Sequence, residues 1–306
     1  MKETGDLIFF GENTFLDLKR AHATVETLLK DKVGFSKLAE LLRSISGIYL
    51  ELNQHNLNLM AGHLSLKMVS LNLNTYQDYY TYITQNKPDS ENEFVQLMTI
   101  NATHFFREPN HYKILRNHLP EIIKSKSANF GSELKVWCSA SSTGQEPYSI
   151  LISILETFPN FTNKNLIFYA TDIDQAVLAK AAIAEYDEAE ISSLPTIYRL
   201  KYFDFISNHQ SKNFYTLKEQ FRRLIRFQQL NLLDSQQFFK NTFDIIFCRN
   251  VLIYFQKKDC DQVINRLIMN LAPRGLLFLS HSEGGLLKNS QVQAVGPAVY
   301  TNSIKK

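Results

Sequence analysis

Apolar residues recur every three or four positions from about Phe35 to Ile123. In "FSKLAELLRSI" they fall at Phe35, Leu38, Leu41, Leu42 and Ile45, which is one face of a helix. The next stretch keeps the spacing at Leu57, Met60, Leu64, Met68 and Leu71. The polar run "TQNKPDSEN" breaks it before "EFVQLMTI" resumes it. The spacing predicts a small helical domain over 35–123, preceded by a partly helical extension over 1–34.

After the turn-rich "KSKSANFGSE" the period changes. Short runs of strand character, "LKVWCSA", "LIFYATDI", "LIRFQQLNL", "FDIIFCRN" and "GLLFLSHS", alternate with helical ones at "EPYSILISILETF", "QAVLAKAAIAEY" and "KKDCDQVINRLIMNLA". This alternation predicts an α/β domain over 124–306, a mainly parallel, doubly wound sheet with helices on both faces. The stretch between Tyr186 and "LIRFQQL" is too long for a simple connection, so a small β insertion is expected at about 198–224.

Composition narrows the function. A formal charge of +3, from 33 Lys and Arg against 30 Asp and Glu, is too small for the basic surface that nonspecific nucleic-acid binding needs. Cys138, Cys248 and Cys260 are odd in number and far apart, which suggests neither a disulfide framework nor a zinc knuckle. No apolar run approaches the length of a membrane span, and the first residues lack a signal-peptide core. A cytoplasmic protein is expected.

In an open α/β sheet the ligand sits beyond the carboxyl ends of the strands. There "CSASSTGQEPYS" offers small residues but a single glycine, Gly144, followed by Glu146 and Pro147 at the start of a helix. A diphosphate would meet the Glu146 carboxylate, and the three-glycine turn of dinucleotide sites is missing. Asp172, ending the next strand, stands where such folds carry the acid that binds ribose hydroxyls. Two acids and no phosphate cradle suit S-adenosylmethionine. Taken singly, Glu146 also fits a charge on a helix dipole, and Asp172 or Asp174 a helix cap.

Six stretches, "NATHFFRE", "VWCSASSTGQEPYSI", "ATDID", "NLL", "FDIIFCRNVLIYF" and "LFLSHSEG", run in an order and spacing that resembles chemotaxis protein methyltransferases of the CheR type. The resemblance implies a helical N-terminal domain, a class I methyltransferase domain with Rossmann-like sheet and β subdomain, and S-adenosylmethionine as donor, leaving S-adenosylhomocysteine. The implied reaction is methyl ester formation on glutamate side chains. By motif, Asn101, Thr103 and Arg107 reach the cofactor from the interdomain segment, Glu146 meets its methionine part and Asp172 its ribose. Asn231 and Leu232 flank the adenine, Arg249 and Asn250 close the site, and Arg107 with Tyr254 stand nearest the methyl group as catalytic residues. His281 is expected to be a hydrogen-bonded structural histidine. The partner implied is the cytoplasmic region of a chemoreceptor or another acidic helical protein, met by a monomer.

One departure concerns that partner. The family's helical domain commonly carries Lys and Arg on the helix after its "GI" turn. Here the stretch from Leu52 to Gln77 holds one formal charge, Lys67. The basic "FRRLIR" later in the chain offers another docking surface.

Overall fold

The computed structural model describes residues 12–127, 133–209, 212–234, 239, 243–287 and 291–302. Residues 1–11 of the expected extension and the middle of the turn-rich connector lie outside the described residues. The chain divides into two compact units between Thr99 and Ile100.

The first unit is helical: α1 (Glu12–Leu28), α2 (Lys32–Ser46), α3 (Gln54–Ser70), α4 (Tyr76–Gln85) and α5 (Asp89–Met98). Polar side chains fix where these helices begin. Asp31 accepts from the Gly34 amide, Asn53 from that of Asn56, and Thr75 with Asp78 forms a reciprocal capping box. Gly47, at φ 82°, ends α2. The periodic positions Phe35, Leu38, Leu42, Leu57, Met60, Leu64 and Met68 are buried with Tyr76, Tyr79 and Phe94, while Leu41, Ile45 and Leu71 are half-buried.

The second unit runs α6 (Pro109–Ser127), β1 (Leu134–Cys138), α7 (Gln145–Thr157), β2 (Leu166–Asp172), α8 (Gln175–Ile183) and β3 (Glu185–Asp187). It continues with α9 (Glu188–Ile191), α10 (Thr196–Tyr202), β4 (Phe203–His209), β5 (Lys212–Leu217), α11 (Glu219–Arg222) and β6 (Ile225–Gln229). β7 (Phe243–Phe247), α12 (Lys257–Met269), β8 (Leu271–Phe278), β9 (Val292–Gly296) and β10 (Val299–Asn302) complete it. The main sheet has the order β6-β2-β1-β7-β8-β10-β9. Its first five strands pair in parallel, and β10 pairs antiparallel with β8 and β9. Alternation within β1 sends Leu134, Val136 and Cys138 to the core shared with α6 and α7, and Trp137 to the core shared with α12. This is the doubly wound plan expected, with strand order reversing beside β1.

Two boundaries differ from the expectation. The helical domain ends at Thr99 rather than Ile123, because α6 buries Tyr112, Leu115, Leu119 and Ile122 in the core of the α/β unit. A helical period shows that a face is buried, not which core buries it. The insertion is a three-stranded antiparallel sheet of order β3-β5-β4, and it begins near Glu185 rather than 198. Its first strand is three residues long, too short to alternate visibly. Among the described residues, no helix is long and apolar enough to cross a membrane.

Candidate functional site

The loop between β1 and α7 is pinned to its neighbours by its own backbone. Ser139 N donates to Phe247 O and Ser141 N to Thr171 O, so the loop extends the pairing of β1 with β7 and β2. Ser142 N then donates to Asp172 Oδ2 at 2.8 Å, and Asp174 N to Asp172 Oδ1 at 3.1 Å. Asp172 is buried, and burial pushes its carboxyl up to about 6 against the opposing pull of these amides. The helix cap is Asp174, which accepts from Ala176 N and Val177 N at the start of α8. That leaves Asp172 outside helix capping. Asn101 joins this corner: its amide donates to Asp174 Oδ2 at 3.4 Å, and its carbonyl accepts from Ser142 Oγ at 3.3 Å.

Gly144 sits at φ 100°, and a Cβ there would lie 2.8 Å from the Tyr186 hydroxyl. That hydroxyl donates to Thr143 O at 2.9 Å. One glycine therefore suffices for this loop, at the one place that requires it. The neighbouring left-handed positions are filled by ordinary residues. Phe106 (φ 54°), Glu108 (φ 59°), Ser142 (φ 46°) and Asn250 (φ 57°) all adopt a backbone that costs free energy for non-glycine residues.

Glu146, in the first turn of α7, is buried and forms an ion pair with Arg249 Nη1, while its Oε2 accepts from the Cys138 thiol at 3.3 Å. Burial raises its carboxyl, and Arg249 and Cys138 oppose that rise. Arg249, at the end of β7, also reaches Glu108 Oε2 at 3.1 Å and donates to Arg107 O at 2.8 Å. Burial disfavours its charge, but Glu146, Tyr112 and Glu108 outweigh that and hold its pKa above the ordinary value. One guanidinium thus fastens the "FFRE" segment to the loop after β1.

Tyr254 closes a short 3₁₀ turn, Leu252–Tyr254, and is half-buried. Burial raises its pKa; the charge of Arg107 lowers it and that of Glu283 raises it further. Its phenol is therefore protonated at neutral pH and lies in the field of Arg107. The Arg107 side chain donates to Ala102 O at 3.1 Å. Thr103 is half-buried in the same segment. Asn231 Oδ1 accepts from Leu233 N at 2.9 Å, whereas the Leu232 side chain is buried in the core shared with α12.

Two acids escaped the sequence reading. Glu108 is the partner of Arg249 just described. Glu283 is fully buried, and its carboxylate accepts from the amides of Asn250, Val251, Leu252 and Ser280 and from the Ser280 hydroxyl. It shapes the turn that follows Arg249 and leads to Tyr254. Both lie within motif stretches, "NATHFFRE" and "LFLSHSEG".

The residues fit a nucleoside bearing an amino acid better than one bearing a diphosphate. Two buried carboxylates, Asp172 and Glu146, flank the loop, and the buried Ser141 Oγ has no hydrogen-bond partner. Such a site favours hydroxyl and ammonium donors and repels phosphate.

Comparisons with known proteins agree. Residues 101–299 match the family described as "CheR methyltransferase, SAM binding domain", and residues 34–99 match "CheR methyltransferase, all-alpha domain". The chain is 34% identical over 245 residues to a "Probable chemotaxis protein methyltransferase" of Rhizobium etli, covering 79% of this chain and 89% of that protein. To "Chemotaxis protein methyltransferase 2" of Pseudomonas aeruginosa it is 31% identical over 267 residues, covering 87% and 92%. To the "Chemotaxis protein methyltransferase" of Escherichia coli it is 30% identical over 279 residues, covering 91% and 93%.

Proposed function

This chain belongs to the CheR methyltransferase family, and from that premise we propose that it methylates glutamate side chains of a chemoreceptor-like protein, forming methyl esters. Its α/β unit is an S-adenosylmethionine-binding domain, and the donor supplies an activated methyl group on a sulfonium sulfur. The observation that carries the choice of a carboxylate acceptor is the pairing of Arg107, a cation, with Tyr254, a protonated phenol in its field. A glutamate is already ionised at neutral pH, so the chain needs no general base and has mainly to align it. Arg107 holds one carboxylate oxygen and Tyr254 donates to the other. In this reading Asp172 accepts from the ribose hydroxyls and Glu146 lies nearest the amino-acid end of the donor. Asn101 and Thr103 line the approach, and Asn231, Leu232 and Asn250 contribute backbone or side chain at the base.

A second reading differs only in the substrate protein. On α3 the one formal charge is Lys67, and it is occupied at 2.6 Å by Glu93. This favours a target that docks elsewhere than on a basic α3. Transfer from methyl-labelled donor onto fractionated cell protein tests both. Label that is lost in mild base supports an ester on glutamate; base-stable label, or none, overturns it.

A further inference from the structure

Glu108, His111 and His281 bring three ligand atoms within 4.8 Å of one another, from the "FFRE" segment, the first turn of α6 and the loop after β8. The His111 side chain is 0% exposed. Its Nε2 lies 3.1 Å from the carbonyl oxygen of Pro297, which can only accept, so Nε2 carries the proton. A neutral ring then presents the Nδ1 lone pair, and Nδ1 faces Glu108 Oε2 at 3.3 Å with no hydrogen-bond partner. The Nδ1 lone pair is thus buried, unpartnered and aimed at a carboxylate oxygen whose other neighbour is Arg249 Nη2 at 3.1 Å.

His281 completes a triangle. Its Nδ1 is 3.7 Å from the same Glu108 oxygen, its ring centroid 5.0 Å from that of His111, and its side chain is 48% exposed. Two ligands on one tetrahedral zinc ion stand about 3.4 Å apart, given bonds of roughly 2.0–2.1 Å. The two distances to Glu108 bracket that value. Glu108 and Glu146 also share one buried guanidinium, that of Arg249. If Glu108 turns to an ion, Arg249 retains Glu146 and the Arg107 carbonyl.

We propose that Glu108, His111 and His281 form a binding site for one divalent transition-metal ion of the zinc class, with a fourth position open to solvent beside His281. Two imidazoles and one carboxylate suit Zn²⁺, Co²⁺ or Ni²⁺ rather than Mg²⁺ or Ca²⁺. The bound ion ties the residue after Arg107 to α6 and to the β8 loop. It needs no part in methyl transfer, so its test does not depend on the activity proposed above.

The test uses the full, untagged chain, stripped with a chelator. Titration with Zn²⁺ alone, followed by calorimetry, should show saturable uptake of one ion per chain, and Co²⁺ alone should give visible absorption of a low-symmetry site. His281→Ala, at a half-exposed position, should weaken binding about 10–100-fold. His55→Ala, an exposed histidine of the helical unit, should leave it unchanged. Zn²⁺ should raise the melting temperature of the wild type and not of His281→Ala, with equal metal-free melting confirming that the variant is folded. Absence of saturable uptake by the wild type, or uptake unaltered in His281→Ala, overturns the proposal.

Discussion

Glu146 and Arg249, 103 residues apart in the chain, meet in a buried ion pair that joins the first turn of α7 to the end of β7. The same guanidinium holds Glu108 and the carbonyl of Arg107, so the donor loop and the segment bearing Arg107 share one anchor. Such an anchor gains little net stability over an apolar contact, but losing one partner is costly, because the other charge stays buried.

Arg249→Ala should therefore destabilise the chain by about 3–5 kcal/mol, since Glu146 and Glu108 both lose their counter-charge. Arg249→Lys should recover part of this, because a point charge cannot reach three partners in a fixed fork. Urea denaturation measures both. An unchanged midpoint in Arg249→Ala would show that the carboxylates are satisfied without it.

The pH dependence of donor binding turns on Asp172. Its folded-state pKa, about 6, stands above the ordinary carboxylate value, so the ligand-free chain is favoured with Asp172 protonated. That contribution to stability is fully present below the unfolded value and is lost as the pH rises through 6. Ribose hydroxyls donating to the ionised form reverse the preference. Affinity for S-adenosylhomocysteine should fall roughly tenfold per pH unit below about 6. Asp172→Asn should flatten that profile, and Asp172→Ala should weaken binding at neutral pH by about 1.5–3 kcal/mol. Calorimetry across this range decides it; a wild-type profile already flat would place the ribose elsewhere.

Arg107→Ala and Tyr254→Phe should lower turnover by about 10–100-fold, the loss of one charge-assisted hydrogen bond at the acceptor. Neither side chain is fully buried, so thermal stability should move little by comparison. Tyr254→Phe should leave the donor's dissociation constant nearly unchanged. Single-turnover kinetics read beside binding separate these effects. A wild-type rate in Tyr254→Phe would remove its hydroxyl from alignment.

Gly144→Ala should destabilise the chain by about 1–3 kcal/mol, since the residue is left-handed and its Cβ would strike the Tyr186 hydroxyl. Adding Tyr186→Phe should restore only part, because the backbone strain remains. Full recovery in the double variant would assign the whole cost to the clash.

Much of this was legible in residue patterns. β1, β2 and β7 read directly because buried parallel strands are short apolar runs, and the lone glycine with two acids points away from phosphate. What a one-dimensional pattern lacks is the partner. α6 has the same period as the helices before it, yet Tyr112 and Leu115 belong to another core. Taken singly, Glu146 also fits a helix-start charge, because nothing local announces Arg249. Glu108 and Glu283 do their work through backbone amides and a guanidinium far away in sequence. The three-residue β3 is held by pairing with β5, not by any preference of its own.

The left-handed residues around the loop bear on how this protein can change. Phe106, Glu108, Ser142 and Asn250 each hold a backbone shape that glycine would adopt with less strain. A selection for heat resistance alone would be drawn first to Ser142 and Asn250, since a glycine at 106 also removes a ring packed on Tyr112 and Tyr198, and one at 108 the partner of Arg249. The four left-handed positions flank Arg107, donate a backbone amide to Asp172 and open the turn that leads to Tyr254. With the site roles proposed above, toughness and turnover are set against each other around the same loop, and a lineage kept under demand for methyl transfer should tolerate the strain rather than remove it.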